Sequence, residues 1–343
     1  MSKSRGLFDE QVRLEKLSKL QDPLERLGSH IDFEFFRKKL ENALIKQNDK
    51  SKGGRPPYDV ILMFKVMILQ RYYNVSDDAM EYAILDRLSF MRFLGLGLND
   101  RVPDAKTIWL FRDNLTKMKL IEELFNYLDK QLDRDGIIVH KGKIVDASIT
   151  EVPVQRNNRE ENSELKSGEI PKDWSKNKVR QKDTDAKWTR KNNTDYFGYK
   201  NHIKADSKTK IITGYKITTA NISDRYIVRE LLNKKEDGGQ PLYGDAAYND
   251  KTLVEFYDHM GVINKTNVQG YKNRKLTERE RKKNKNKSKI RSRVEHIFGF
   301  MVNTMRSKIL KYRSYIRNKA ALGLINLTYN LFRLVQLNIC LLK

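Results

Sequence analysis

Glu295 is a carboxylate at the end of the most basic stretch of the chain, in Arg291-Ser-Arg-Val-Glu295-His-Ile-Phe-Gly-Phe-Met301. From Lys272 to Arg293 the sequence is crowded with cations, among them Lys282, Lys283, Lys285, Lys287, Lys289, Arg291 and Arg293. Such a run attracts phosphate and repels other cations. A carboxylate there is odd if the segment only binds polyanions. It makes sense if it holds a metal ion beside a bound phosphate backbone. Two aspartates decide that reading. Asp146 ends Lys143-Ile-Val-Asp146 and Asp245 ends Leu242-Tyr-Gly-Asp245, both short strand-like segments. Ala147, Ser148, Gly244, Ala246 and Ala247 leave little side-chain bulk around the two carboxylates, which suits the approach of a bulky backbone such as DNA. Three carboxylates suit a hard divalent cation, Mg²⁺ or Mn²⁺. Two such ions about 3.5–4 Å apart can clamp an in-line phosphoryl displacement.

Each residue also has a plainer reading. A strand-end aspartate is most often a turn or cap residue. Glu295 taken singly is an i, i+4 partner of Arg291, worth about 0.2–0.5 kcal/mol. The three together carry more than any one, because each sits at the element position a shared site would need.

The elements that must position them follow from periodicity. Residues 1–50 are charged with helical spacing, and a polar linker follows, Asn48 to Pro57. Pro56-Pro57 is expected to open a helix with Ile61, Leu62, Val66 and Leu69 on one face. Ser76 and Asp104 are N-cap residues for two more helices, the second over Ala105 to Lys117. This helical block has room for a helix-turn-helix unit, although compact helical domains without DNA contacts share its texture.

From Gly136 the texture turns to short β-branched runs, Ile137-Ile-Val139 and Lys143 to Ser148. Residues 155–195 are polar and aperiodic, which reads as a loop or insertion. Tyr196 to Ala205 and Ile211 to Thr219 read as a hairpin. Helices are expected at Asp224 to Lys234 and Lys251 to Met260, and strands at Pro241 to Asp245 and Gly261 to Val268. The basic run then reads as a loop before the Glu295 helix, whose apolar face is Val294, Ile297, Phe298, Met301 and Met305. Strands adjacent in sequence followed by alternating α and β units imply a mixed α/β sheet with helices on both faces.

The chain has 343 residues, a formal net charge of +24 and 39% hydrophobic residues. The charge points to a polyanionic partner, most often nucleic acid. An anionic membrane or an RNA-packing scaffold compete with that reading. One cysteine, Cys340, leaves no internal disulfide and no cysteine zinc cluster, and fits a reducing compartment. The N-terminus, Met1-Ser-Lys-Ser-Arg-Gly, leads into no apolar signal core. The apolar stretch Ala320 to Leu342 is interrupted by Asn326, Thr328, Asn330, Arg333 and Gln336. It therefore reads as a buried or interface helix, not a membrane span, which needs about 20 mainly apolar residues.

Five motifs in order, Val145-Asp146-Ala-Ser, Tyr196-Phe-Gly-Tyr-Lys-Asn-His202, Thr218-Thr-Ala-Asn-Ile-Ser-Asp224, Gly244-Asp245-Ala-Ala-Tyr248 and Arg291-Ser-Arg-Val-Glu295-His, resemble those of the DDE transposases of bacterial insertion sequences. They look most like the insertion-sequence-five (InsH-like) group, over roughly residues 20–335. The resemblance implies a ribonuclease-H-like catalytic domain over 136–315 with the polar insertion 155–195. It further implies a charged helical arm over 1–54, an all-helical and DNA-binding domain over 55–130, and an apolar C-terminal helix over 316–343. By it, Asp146, Asp245 and Glu295 are the catalytic, metal-binding triad. The partners are double-stranded DNA, as terminal inverted repeats and target DNA, and a second copy of the chain, in the bacterial cytoplasm at the nucleoid. Arg291 matches the arginine of a Tyr-Arg-Glu-Lys signature, while Ser288 and Val302 replace its tyrosine and lysine.

Phosphate contacts are expected from Lys283, Lys285, Lys287, Lys289, Arg291 and Arg293. Lys200 and His202, two apart on the hairpin, share a face and could add to them, a solvated sheet edge being the other reading. Asp224 reads as an N-cap or a supporting acid. Trp174 and Trp188 either stack on an unpaired base or pack back on their own domain. A non-catalytic DNA-binding repressor and a structure-selective nuclease of the same fold stay open as alternatives to a transposase.

Overall fold

The computed structural model describes residues 8–44, 56–271 and 274–340. Met1 to Gly6, most of the Asn48–Pro57 linker and Lys272 lie outside the described residues. The chain divides into two units, Met1–Leu124 with Leu327–Lys343, and Phe125–Asn326.

The first unit is helical. It contains α1 (Asp9–Lys19), α2 (Pro23–His30), α3 (Arg37–Leu44), α4 (Val60–Tyr73), α5 (Asp77–Asp86), α6 (Leu88–Leu94), α7 (Ala105–Lys117) and the start of α8 (Leu120–Arg134). Ser76 caps α5 through the Ala79 amide at 3.2 Å and Asp104 caps α7 through the Thr107 amide at 2.7 Å, as the cap rule requires. α4 is opened by Asp59 rather than by Pro56-Pro57. The Asp59 carboxylate accepts from the amides of Ile61 and Leu62 at 2.8 and 3.0 Å. Its burial is not one-sided: Met63, Phe64, Met67 and Ile68 are buried together with Ile61, Val66 and Leu69. Phe33, Phe36 and Phe93 join Phe64 in the core of this unit.

The second unit is built on a six-stranded mixed sheet. Its strands are β1 (Lys143–Glu151), β2 (Lys187–Lys191), β3 (Thr194–Asp206), β4 (Ile212–Thr219), β5 (Pro241–Tyr243) and β6 (Ile263–Asn264). β1 pairs antiparallel with β3, and β3 pairs antiparallel with both β2 and β4. On its other side β1 pairs parallel with β5, and β5 with β6. The antiparallel meander β1–β3–β4 continued by parallel β5 and β6 is the ribonuclease-H-like order expected, with β2 added on β3.

The helices of this unit are α9 (Arg159–Ser167), α10 (Lys176–Gln181), α11 (Asp224–Leu231), α12 (Lys234–Asp237), α13 (Lys251–Met260), α14 (Glu278–Arg291), α15 (Arg293–Gly299) and the first part of α16 (Tyr315–Leu337). α11 and α13 bury Val228, Leu253 and Tyr257 against Val145 and Leu242 of the sheet. By strand alternation the neighbours of Val145 face the other way. There Asn201 of β3 exchanges two amide hydrogen bonds with Asn326 of α16, at 2.7 and 3.1 Å. Much of α16 is buried within its own chain, including Leu322, Leu324, Ile325, Leu331 and Leu334. Among the described residues no helix is long and apolar enough to cross a membrane.

Three expectations are corrected. Ile137 to Val139 form no strand. The segment 155–195 is not a plain loop, since it carries α9, α10, β2 and the start of β3. The basic run is not a loop either, since from Glu278 it is helix α14. Thr277 and Glu280 start α14 with a reciprocal capping box. Lys, Arg and Glu are good helix formers, so a strong start is enough.

Candidate active site

β1 does not end at Asp146 as the sequence suggested. It runs on to Glu151, paired there with β3, while β5 stops at Tyr243. The register fixes what this does. Lys143 pairs with Leu242 and Ile144 with Tyr243. The same offset sets Asp146 level with Asp245, at the point where the chain leaves β5. Asp245 then caps a 3₁₀ turn, Ala246–Tyr248, its Oδ1 accepting from the Ala247 amide at 2.9 Å. Asp146 Oδ1 accepts from the Ala147 amide at 2.8 Å. Burial pushes the Asp146 carboxyl up to about 6, and the nearby charge of Asp245 pushes in the same direction. The Ala147 amide and Arg291 oppose them. Two aspartates side by side, neither fully compensated, form an oxygen-donor pair of the kind that hard divalent cations take.

Glu295 approaches from the helical side. Ser292 separates α14 from α15, and Val294, Ile297, Met301 and Met305 bury the expected apolar face. After α15 the helix widens into a π turn over Phe300–Thr304. The Glu295 side chain is 67% exposed. Arg291 stands between it and the sheet. Its guanidinium meets Asp146 Oδ2 at 3.3 Å and Glu295 Oε1 at 3.7 Å. Among the described residues no three acidic, histidine or cysteine side chains are close enough to hold a metal ion. The two aspartates are brought together, and Glu295 is joined to Asp146 through Arg291.

α14 presents two faces. On the inner one Asn284 clasps the backbone of Val268, accepting from its amide at 3.0 Å and donating to its carbonyl at 2.8 Å. Ser288 Oγ accepts from Asn267 at 3.0 Å, and Lys287 Nζ donates to the Thr266 carbonyl at 2.7 Å. Lys282, Lys283, Lys285 and Lys289 are exposed. Arg293 is tied to the Ser207 carbonyl. Of the expected phosphate contacts, Lys283, Lys285 and Lys289 are therefore open, Lys287, Arg291 and Arg293 partly engaged.

Lys200 and His202 do not stand open to phosphate, and that expectation is corrected. His202 is 0% exposed. Its Nε2 lies 2.8 Å from Thr218 Oγ1, and burial pushes the imidazole down to about 4, so it is neutral. Lys200 Nζ donates to the Ile222 carbonyl at 2.7 Å and to Asp224 Oδ1 at 2.9 Å. Both do share a face, as the alternation implied, but α11 covers it. Asp224 is the first residue of α11, after Ser223 in the cap position. Trp174 packs back on its own segment, its indole N–H donating to Glu161 at 2.8 Å. Trp188, on β2, stays half exposed against Phe197.

Tyr248 is a site residue that the sequence reading passed over, although it closes the quoted motif Gly244-Asp245-Ala-Ala-Tyr248. It is buried, and its hydroxyl makes no hydrogen bond among the described residues. Burial, and then the charges of Asp146, Asp224 and Asp245, hold this hydroxyl well above the usual tyrosine range. The signal available was the aromatic ring three residues after a candidate ligand.

Family comparison fits this geometry. A family described as "Transposase DDE domain" matches residues 140–331, and one described as "Transposase domain (DUF772)" matches residues 12–114. The first match covers more than half of the chain, so the chain belongs to the DDE transposases. It is a DNA transposase, an enzyme of a class that depends on divalent metal. The chain is also similar to a chain in the cryo-EM structure of the piggyBac transposase synaptic complex with hairpin DNA. The identity is 13% and the TM-score 0.46, over 92% of this chain and 75% of that one.

Proposed function

We propose that Asp146, Asp245 and Glu295 are the metal-binding residues at which this transposase nicks transposon ends and joins the freed 3′ ends to target DNA. The register that sets Asp146 level with Asp245 is the single observation that carries the assignment. The donor set is all oxygen, which fits Mg²⁺, with Mn²⁺ as a substitute. When bound, such ions supply Lewis acidity at the scissile phosphate and an activated water.

The chain's own residues do the rest. Asp146 and Asp245, fixed by β1 and by the turn after β5, hold the pair of oxygens rigidly. Glu295 closes the set by turning inward as Arg291 releases it. Arg291, freed from Asp146 in the same exchange, is placed to take a phosphate oxygen. Lys283, Lys285 and Lys289 on the open face of α14 track the backbone of double-stranded DNA. Terminal inverted repeats and target DNA are the substrates, and joining two ends in one event calls for a homodimer. Of the finer groups, the insertion-sequence-five (InsH-like) transposases share the quoted motifs.

The test uses the full-length protein with DNA carrying the flanks of its own gene. Wild type is expected to nick and join those ends only with Mg²⁺ or Mn²⁺. Asp245→Asn is expected to bind the same DNA without cutting it. Undiminished metal-dependent cleavage by Asp245→Asn would refute the assignment.

A further inference from the structure

The Tyr248 ring is held from several sides. It packs with Val145, next to Asp146, with Val228 of α11, and with Leu242 and Tyr257. A Cβ on Gly244 would lie 2.9 Å from the ring, so the ring rests on the backbone that leads into Asp245. The Tyr257 hydroxyl donates to the Tyr248 carbonyl at 2.9 Å. All of this fixes where the phenol oxygen sits, yet that oxygen is buried without a hydrogen bond among the described residues. Buried hydroxyls are almost always bonded, because an unmet one is costly. Phenylalanine would fill the same space without that cost, so packing does not account for the oxygen. The ring's seat leads to the candidate site on both sides, since Val145 precedes Asp146 and Gly244 precedes Asp245, and the charges of Asp146, Asp224 and Asp245 act on the hydroxyl. Asp224 is already engaged by Lys200.

We propose that Tyr248 is a positioning residue whose hydroxyl donates to a carboxylate of Asp146 or Asp245 in the metal-bound enzyme, fixing which oxygens face the ion. The inference rests on the assignment of those aspartates as metal ligands. Partners that hydrogen-bond to metal ligands orient them, and losing one typically weakens metal binding about 10–100-fold.

Tyr248→Phe tests this, since it keeps the ring and its seat on Gly244. Mn²⁺ affinity is read from the electron paramagnetic resonance of free Mn²⁺ titrated with full-length protein. Cleavage of end DNA is read against Mg²⁺ concentration in single turnovers. The Mn²⁺ dissociation constant is expected to rise about 10-fold or more. The Mg²⁺ needed for half-maximal cleavage rises in parallel, and the rate at saturating Mg²⁺ recovers. The metal-free melting temperature holds or rises. Wild-type Mn²⁺ affinity and Mg²⁺ dependence in Tyr248→Phe would overturn the proposal, as would a metal-free melting temperature several degrees lower. Asp245→Asn separates the two claims. If it binds Mn²⁺ like wild type, the ligand assignment falls and the Tyr248 role falls with it. If it loses Mn²⁺ while Tyr248→Phe stays normal, only the Tyr248 role falls.

Discussion

Two charged clusters share strand β1, and they are built in opposite ways. At the start of the strand, Lys143 and Lys204 meet Asp206 and Asp237. Lys204 Nζ lies 2.8 Å from Asp237 Oδ2, with the two side chains 3% and 1% exposed. Asp206 is buried and accepts from the backbone of His140, Lys208 and Thr209. A few residues on, Asp146, Asp245 and Glu295 have one guanidinium near them, Arg291, with contacts of 3.3 and 3.7 Å to the first and last. The first cluster sets two lysines against carboxylates inside the protein, Lys204 bridging Glu236 at 3.5 Å as well as Asp237. The second has three anions against one cation, and Glu295 is open to water. Burial with a close ion pair fixes a structure. Burial with pairing left short leaves room for a charged ligand.

Charge removal on the loose cluster has the largest expected effect. Asp146→Asn keeps the side-chain shape and removes a ligand charge. Single-turnover cleavage is expected to fall about 10³-fold or more, roughly 4 kcal/mol of barrier, while the melting temperature holds. Asp237→Asn should do the reverse, lowering the melting temperature and leaving cleavage of the folded protein near wild type. Calorimetry and cleavage on the same preparations check both. An Asp146→Asn protein that cuts normally, or an Asp237→Asn protein that melts normally and does not cut, breaks the comparison.

How far this contrast was legible in the sequence depends on how local its causes are. Asp245 at the end of its strand, the apolar face of the Glu295 helix and the hairpin of β3 and β4 follow from short-range periodicity. The level register of Asp146 with Asp245 does not, because it depends on where β5 stops while β1 continues beside β3. The fate of Lys200 and His202 is likewise non-local. Alternation put them on one face, but only the position of α11, with Asp224 at its start, decides that the face is covered. In 155–195 the elements are made by caps and a polar hub, not by an apolar stripe. Asn158 and Glu161 form a capping box, and Glu161 also accepts from Trp174 and Lys178. α14 is similar: the polar Asn284 and Ser288 seat it on the chain at Asn267 and Val268, so hydrophobic periodicity could not announce it.

A second test separates the clusters by stability alone. Lys204→Met leaves Asp237 buried and unpaired, and is expected to cost about 3–5 kcal/mol. Adding Asp237→Leu should recover much of that, giving a large coupling in a double-mutant cycle. Arg291→Met, at a looser contact of 3.3 Å, should cost clearly less. Urea unfolding followed by tryptophan emission checks wild type and all the variants, since Trp174 and Trp188 both lie in this unit. Equal losses for Lys204→Met and Arg291→Met would mean that the second cluster is as structural as the first.

The finest discrimination comes from pH. Burial first, then the charge of Asp245, raises the folded Asp146 carboxyl from 3.8 to about 6. A raised acid favours the folded state when protonated. Its contribution is therefore complete below the unfolded value and is lost as pH rises through about 6. Above that pH the metal-free protein carries an ionised, poorly compensated Asp146, at a cost of about 1–3 kcal/mol. A divalent ion needs the ionised form, so its affinity should weaken as pH falls through the same window. Subtracting the urea midpoints of Asp146→Asn from those of wild type, between pH 4 and 7 without metal, isolates this one group from the rest of a strongly basic chain. The difference should favour wild type at the acid end and shrink or reverse by pH 7. With Mn²⁺ present the wild type should regain stability at pH 7 and the variant should not. A pH-independent difference would show Asp146 to be compensated after all, and the contrast between the clusters would then lie in exposure alone.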